Sequence, residues 1–596
     1  MGSSGPIRGN TVARRLRKLA LAFAACLLFS ILAPMYHADR ASDDSFAGSA
    51  VLASPRDLHV ITVPVRLSSA PDLTLNRAVI YDYGLTAPSG ATSQVLLDGP
   101  VLTLNAAGLR ATTGADPEET DGSNAAPASP LLQQIGALGF DLIAIRRGTL
   151  HVVMGDGDVE TLTDVQVEVK KTRRGQISAQ GSFTVRGQRV AFDATFDQPD
   201  KKEPHRWPLQ MSITASLLHG TFDGHADLGE DVQISGQTEL AITSLRRVGR
   251  WFGLPLYLTE GFNATTVKGD LAWARRSLAF EKARIVVDGN EGNGRLALNL
   301  ANDRPLLEAT LDFAALNLTT YLDATRTQLF GFELPATWGA SFDTSLPMLR
   351  YLDADMRISA NRVTLKDYAF GQGGATITAQ AGKLHADIAE VEIPGGGTLS
   401  AQVTAIMTEA VPRYAVRAKV ESMEMGPTTA KLLGSPTLTG RAGLTFDLTS
   451  TGYSLTDLTR RLSGKAALSM SEGGRIALDL KAVRQAAKVG QRGWAALAKS
   501  HTIVERLEAR SLIIDGVAFA EDIQARAGDV ALALTGRFGL VDGNMDARLV
   551  LRPGAASAGA ARTVDAGAGE IVTLRGPWPD PVLRGDDSDA TMRAMP

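Results

Sequence analysis

Cysteine and histidine are scarce in this chain. One cysteine occurs in 596 residues, Cys26, so neither a disulfide framework nor a cysteine zinc site can form. The eight histidines are scattered. One group, His219 with Asp223, His225 and Asp227, is spaced for a single strand face and carries donors suited to a divalent ion. The spacing describes a solvated outer face better, because Gly220 and Gly224 interrupt it. Asp156-Gly157-Asp158 lacks the spaced ligand series of a calcium loop. Gly395-Gly396-Gly397 and the glycines of 289–294 come without a phosphate-loop lysine or a dinucleotide fingerprint. No Gly-x-Ser-x-Gly elbow is present. The expectation is no enzyme, no metal and no cofactor. Charge of one sign is also missing: a net charge of -3, with basic residues scattered, argues against nucleic acid as a partner.

What remains is apolar and turn-rich. Apolar content of 44% and charged content of 21% are those of folded protein and exclude wholesale disorder. Aromatics reach only 6%, whereas glycine reaches 59 residues, as many tight turns would require. One long apolar run stands out at 19–33, preceded by Arg8, Arg14, Arg15, Arg17 and Lys18 and closed by Pro34. Basic residues ahead of such a run favour an N-terminus in the cytoplasm and a body outside it. As a helix the run rises about 22 Å, short of a hydrocarbon core of roughly 30 Å. Extension through Met35 and Tyr36, with Arg17 and Lys18 snorkelling, closes the difference. A transmembrane anchor is expected over 19–36, carried by Leu19, Leu21, Phe23, Leu27, Leu28, Phe29, Ile31 and Leu32, after a cytoplasmic basic N-terminus at 1–18. A cleaved signal peptide is the alternative, although small residues are missing at the expected cleavage positions.

Beyond a polar stalk at 37–50 the pattern is alternation. Asp164-Val165-Gln166-Val167-Glu168-Val169-Lys170 is typical, as are Gly294-Arg295-Leu296-Ala297-Leu298-Asn299-Leu300 and Met545-Asp546-Ala547-Arg548-Leu549-Val550-Leu551. Side chains on a strand alternate between faces, so each segment has one apolar and one polar face. Asp-Gly pairs at 98, 156, 223, 288, 515 and 542 suggest tight turns in an antiparallel meander. The glycine spacing has no strict repeat period. Residues 112–130, rich in glycine, proline, alanine and acid, read as a loop, with a short helix at 131–137. Further helices are expected at 244–252, 346–352, 454–463 and 477–499. The third opens on Ser454 with Asp457 three residues on, close to a capping box. The fourth is basic (Lys481, Arg484, Lys488, Arg492, Lys499) and is interrupted at Gly490 and Gly493. These helices read as covers for an open end or face of the sheet; for the last, contact with a membrane or a partner is the alternative.

Several stretches, taken in order, resemble the AsmA family of bacterial envelope proteins. They are Leu97-Asp98-Gly99-Pro100-Val101-Leu102, Ile145-Arg146-Arg147-Gly148-Thr149-Leu150, Val159 through Val165, and the unit Gly289 through Leu296. The strongest is Asp447-Leu448, then Leu455 through Leu462, then Ser463-Gly464-Lys465-Ala466-Ala467-Leu468, followed by the basic helix and the meander over 507–551. The resemblance implies a mostly β fold: a long curved antiparallel β-sheet forming an open, taco-like groove, with a few short helices and one N-terminal transmembrane helix. It implies an N-terminal β region at 51–325 and a C-terminal β module at 340–552. After these come an alanine/glycine linker, a last strand and a tail at 553–596. It further implies a bacterial inner-membrane, single-pass protein with its bulk in the periplasm. Phospholipid or lipopolysaccharide would be its ligand, with outer-membrane assembly proteins as possible partners. The implied activity is intermembrane lipid transport or outer-membrane biogenesis. Candidate groove residues are Val165, Val167, Val169, Leu296, Leu298, Leu300, Leu549 and Leu551. Two alternatives stand beside this. An alternating strand ordinarily packs its apolar face into a sandwich core, and a scaffold for outer-membrane protein insertion would carry no lipid.

Overall fold

The structure, a computed structural model, describes residues 59–61, 65–66, 73–75, 77–81, 94–105, 142–153 and 159–585, the last span with gaps of which 253–260, 335–348, 490–499 and 554–569 are the longest. The expected anchor at 19–36, the loop at 112–130, the helix at 131–137 and, of the helix expected at 346–352, all but Leu349, Tyr351 and Leu352 lie outside the described residues. Among the described residues no helix is long and apolar enough to cross a membrane.

Strands account for 70% of the structure, which makes the class mostly β, with few helices and an extensive sheet that does not close on itself. The sheet is mixed and not wholly antiparallel as expected. Gln94–Asp98 and Val101–Asn105 both pair parallel with Leu142–Val153, at successive positions along it. Asp98-Gly99 is therefore not a hairpin turn. Gly99 (φ 65°) and Pro100 kink one continuous path opposite a bulge at Arg147 (φ 53°). Hydrogen bonds from Gly99 N–H to the Arg146 carbonyl and from Thr149 N–H to the Pro100 carbonyl, each 2.8 Å, carry the ladder across the kink.

A two-residue hairpin turn of type I′ needs positive φ at both positions. Asp288-Gly289 (49°, 85°) and Asp515-Gly516 (46°, 74°) meet this as the dipeptide suggests. Arg186-Gly187 (47°, 74°) and Ala381-Gly382 (48°, 79°) meet it without an acidic first residue. Asp223-Gly224, expected to turn, lies inside the strand Leu218–Asp227. A Cβ on Gly224 would come 2.5 Å from the Cα of Gly236 on the neighbouring strand, so this glycine serves a close approach of backbones.

Two compact units divide near Leu306, the second also taking in the short stretch Asn290–Gly292. In the first unit antiparallel pairing runs without omission from Leu142–Val153 through Val159–Lys171, Ile177–Val185, Gln188–Phe196, Arg206–Ala215, Leu218–Asp227, Gln233–Ile242 and Thr265–Ala274 to Ser277–Val287. Its apolar face carries Val167, Gly181, Phe192, Ile213, Gly220, Leu240, Val267 and Ile285 in one directly paired rung. The strands up to Leu218–Asp227 pool these side chains into one buried cluster containing Leu162, Ile177, Phe183, Phe196 and Leu209. The helix Leu245–Phe252 buries Val248 and sets Trp251 against that cluster. Trp251 donates its indole N–H to the Val185 carbonyl at 3.2 Å. Arg186 donates to the Trp251 carbonyl at 3.3 Å while its guanidinium grips Glu160 at 2.7 and 2.9 Å.

In the second unit the ladder runs from Asp353–Ala360 through Gly373–Gln380, Lys383–Glu392, Thr398–Ile406, Arg413–Glu424, Arg441–Thr451, Ser463–Met470, Arg506–Ile514, Val517–Ala527, Val530–Gly539, Asn544–Pro553 and Glu570–Pro577 to Val582–Gly585. A small sheet of Leu438–Thr439, Gly474–Ile476 and Thr502–Val504 stands beside it. The helix Leu455–Arg460 starts where the capping pattern places it: the Ser454 hydroxyl accepts the Asp457 N–H at 3.2 Å. Of the basic helix expected at 477–499, Leu480–Val489 is helical and 490–499 lie outside the described residues; its start is capped by the Asp479 carboxylate, which accepts the N–H of Lys481 at 2.9 Å and of Ala482 at 3.2 Å. Helix Met425–Leu433 has no counterpart in the sequence reading, its first turn holding Gly426 and Pro427, residues that usually mark turns.

Candidate apolar binding face

Register turns isolated alternating strands into continuous surfaces. In the second unit one rung reads Met356, Ile377, Ala386, Val403, Val416, Leu448, Gly464, Ile513, Ala518, Phe538, Met545, each paired directly with the next. The next reads Ile358, Ala375, Ile388, Ala401, Ala418, Phe446, Ala466, Ser511, Ala520, Gly536, Ala547, Leu574, Leu583. A third runs from Val391 through Leu399, Val420, Leu444, Leu468, Ala509, Ile523, Leu534 and Leu549 to Val572. Apart from Ser511 these side chains present only hydrogen, carbon and the thioether sulfur.

Bulges keep the face apolar where simple alternation would lose it. Strand Arg413–Glu424 points Tyr414, Val416, Ala418 and Val420 inward on even numbers. A bulge with Ser422 at φ 52° then brings odd-numbered Met423 to the same face. The same switch carries Ile388 to Val391 past Glu390 (φ 47°), and Ala520 to Ile523. In the first unit it carries Leu162 to Val165 past Asp164 (φ 49°).

The opposite face is polar and laced with charge. Its central rung holds Arg357, Thr376, Asp387, Gln402, Arg417, Asp447 and Lys465. Arg417 meets Asp447 at 3.4 Å, and Asp546 lies between Arg537 at 3.7 Å and Arg575 at 3.2 Å. Such exposed pairs add at most about 1 kcal/mol each but mark the solvent side.

Burial along the apolar rungs is uneven. Met356, Ile358, Ile377, Ile388, Val403, Val416, Phe446 and Leu448 are half-buried, and each of their strands makes its main described contacts with its ladder neighbours. From Asp353–Ala360 to Arg441–Thr451 at about 4.8 Å per strand, this face is roughly 25 Å wide, and three alternate positions make it roughly 15 Å long. Further along the same rungs the exposure falls: Ala547 8%, Leu574 3% and Leu583 1%.

The sequence-derived candidates divide accordingly. Val165, Val167 and Val169 share one face and are 6–8% exposed inside the first unit's cluster. Leu296 and Leu298 are half-buried and Leu300 is 9% exposed. Leu549 and Leu551, at 8% and 3%, belong to the second unit's main cluster. The anchor residues from Leu19 to Leu32 lie outside the described residues. His219, Asp223 and Asp227 are exposed on the outer face of one strand; His219 pairs with Thr214 at 3.0 Å and Asp223 with Gln210 at 3.4 Å. Among the described residues no cluster of three histidine, cysteine or acidic side chains is arranged to hold a metal. Phe446, Val416 and Ile377 were not singled out by sequence. Their signal was present in Thr376-Ile377-Thr378 and in Leu444-Thr445-Phe446-Asp447-Leu448.

Neither a protein-family model nor a curated protein matches this chain.

Proposed function

We propose that this chain is an AsmA-like envelope protein whose second unit binds lipid acyl chains on its apolar face, as part of lipid transport between membranes or outer-membrane biogenesis. The observation that carries the reading is the pair of continuous apolar rungs through Val416 and Phe446, half-buried from Asp353–Ala360 to Arg441–Thr451 and backed by a charged outer face. A ligand matched to such a surface is long, apolar and indifferent to side-chain detail, because no polar group on the face reads it. An acyl chain lying on a rung with half of its surface covered gains about 0.4 kcal/mol per methylene, half the value of about 0.8 for full burial. Sliding from one strand to the next exchanges equivalent aliphatic contacts, so movement along the face costs little. The resemblance rests on the residues quoted above, and the apolar run at 19–33 would hold the chain at a membrane.

The scaffold reading draws on the first unit, where Val167, Phe192 and Leu209 are 8%, 8% and 1% exposed in one buried cluster. Photo-crosslinking in the full-length chain in its native envelope separates the two. Probes at Val416 and Phe446 should give lipid adducts, and probes at Arg417 and Asp447 on the outer face should give none. Adducts at neither pair, in a folded protein, would leave the scaffold.

A further inference from the structure

The rungs that form the half-buried face do not end where the exposure ends. The Phe446 rung passes through Ala466, Ser511, Ala520, Gly536 and Ala547 to Leu574 and Leu583 without a break in register. Chemically the last strands offer the same aliphatic surface as the first. The difference is that the helix Leu480–Val489 packs on Glu570–Pro577 and Val582–Gly585. Its Val483 is 1% exposed, and Leu480 and Ala482 pack against the cluster that holds Val572, Leu574 and Leu583.

Resting on the acyl-chain reading above, we propose that this helix occupies an acyl-chain site. The surface beneath it is a second, covered segment of the same lipid-binding face, which a chain reaches by displacing the helix. Among the described side chains of the helix, Leu480, Ala482 and Val483 face the sheet, while Lys481, Gln485, Lys488 and Val489 are exposed, Val489 at 73%. Its start is held from its own chain, by the Asp479 carboxylate on the N–H groups of Lys481 and Ala482. Lifting the helix off the sheet therefore leaves its cap intact. An aliphatic chain then replaces the contacts of Leu480, Ala482 and Val483, which carry no polar atom, with contacts of the same kind.

The test uses the full-length chain with phosphatidylglycerol vesicles, and a diazirine-bearing aliphatic residue at Phe446 or, separately, at Leu574. Phe446 should label with lipid in the unaltered chain and Leu574 only weakly. Val483→Ala keeps helix propensity but removes two buried methyl groups from the contact, so Leu574 labelling should rise about tenfold while Phe446 labelling stays constant. In the unaltered chain, vesicles should also speed hydrogen exchange of the helix amides but not those of Asn544–Pro553. Labelling at Phe446 with Leu574 at background in both chains, and helix exchange unchanged by lipid, would show a fixed cap and overturn the proposal alone. No labelling at Phe446 would remove the acyl-chain reading and this inference with it.

Discussion

Phe196 and Phe446 carry the same side chain on apolar strand faces, and truncating each to alanine distinguishes a packed core from an open surface. Phe196 is fully buried, paired with Leu209 and Ile177 in the first unit's cluster. Its loss removes transfer free energy and leaves a cavity that neighbouring strands cannot collapse into, a cost of about 3–5 kcal/mol. Phe446 is half-buried between Ala418 and Ala466, so water fills the space its ring leaves and no cavity remains. Only part of the transfer term is lost, about 1–2 kcal/mol. The expected gap of about 2 kcal/mol is a factor of roughly 30 in the unfolding equilibrium. Because two units need not unfold together, each should be followed separately, by hydrogen exchange of Gln188–Phe196 and Arg441–Thr451 peptides across a urea series. Affinity for an acyl probe should move the other way, falling for Phe446→Ala and holding for Phe196→Ala. Equal destabilisation by both substitutions would mean the second unit's face is an ordinary core, and the argument from exposure would fail.

Three further outcomes follow from local geometry. Arg186→Met strands Glu160, whose side chain is only 9% exposed, and should cost about 2–3 kcal/mol in the first unit, less than a fully buried pair because Arg186 is 23% exposed; adding Glu160→Met should recover part of that loss in a thermal melt. Gly236→Val places a branched Cβ 2.4 Å from the Asp223 carbonyl oxygen and should destabilise by more than about 2 kcal/mol, or yield insoluble protein, whereas Gly289→Asn at a hairpin turn with open space around it should fold with little change. The side-chain amide and then the backbone N–H of Asn544, each 3.0 Å from the Asp542 carboxylate, hold that carboxyl below its usual range. Its small contribution to the Leu540–Gly543 turn should be complete above about pH 4 and vanish as pH falls through the lowered folded-state value, which a carbon-detected titration of Asp542 would read; a value at or above that of an unstructured aspartate would refute the stabilising role of the Asn544 hydrogen bonds.

How far the fold could be read in advance depended on the range of the forces involved. Alternation in Val165-Gln166-Val167-Glu168-Val169 is a local steric fact, so strand and face were legible there, and Ser454 with Asp457 marked a helix start through contacts within one turn. Asp288-Gly289 and Asp515-Gly516 turned as expected because positive φ is a property of the dipeptide itself. Asp223-Gly224 has the same letters, yet its glycine answers to Gly236 on another strand. Asp98-Gly99-Pro100 kinks rather than reverses, because both flanking segments pair parallel with Leu142–Val153.

The apolar face shows the division most plainly. Sequence alone determined that the chain would be built of two-faced strands, since the period of two does not depend on partners. Only the tertiary structure decided which strands adjoin, where Glu390, Ser422 and Asp164 shift the alternation by one, and which apolar faces are closed over. Val167 and Val416 have indistinguishable local patterns, but one is 8% exposed in a closed cluster and the other half-buried on a face bounded by its ladder neighbours. Burial is a property of what lies across from a residue in space, and no local pattern carries it.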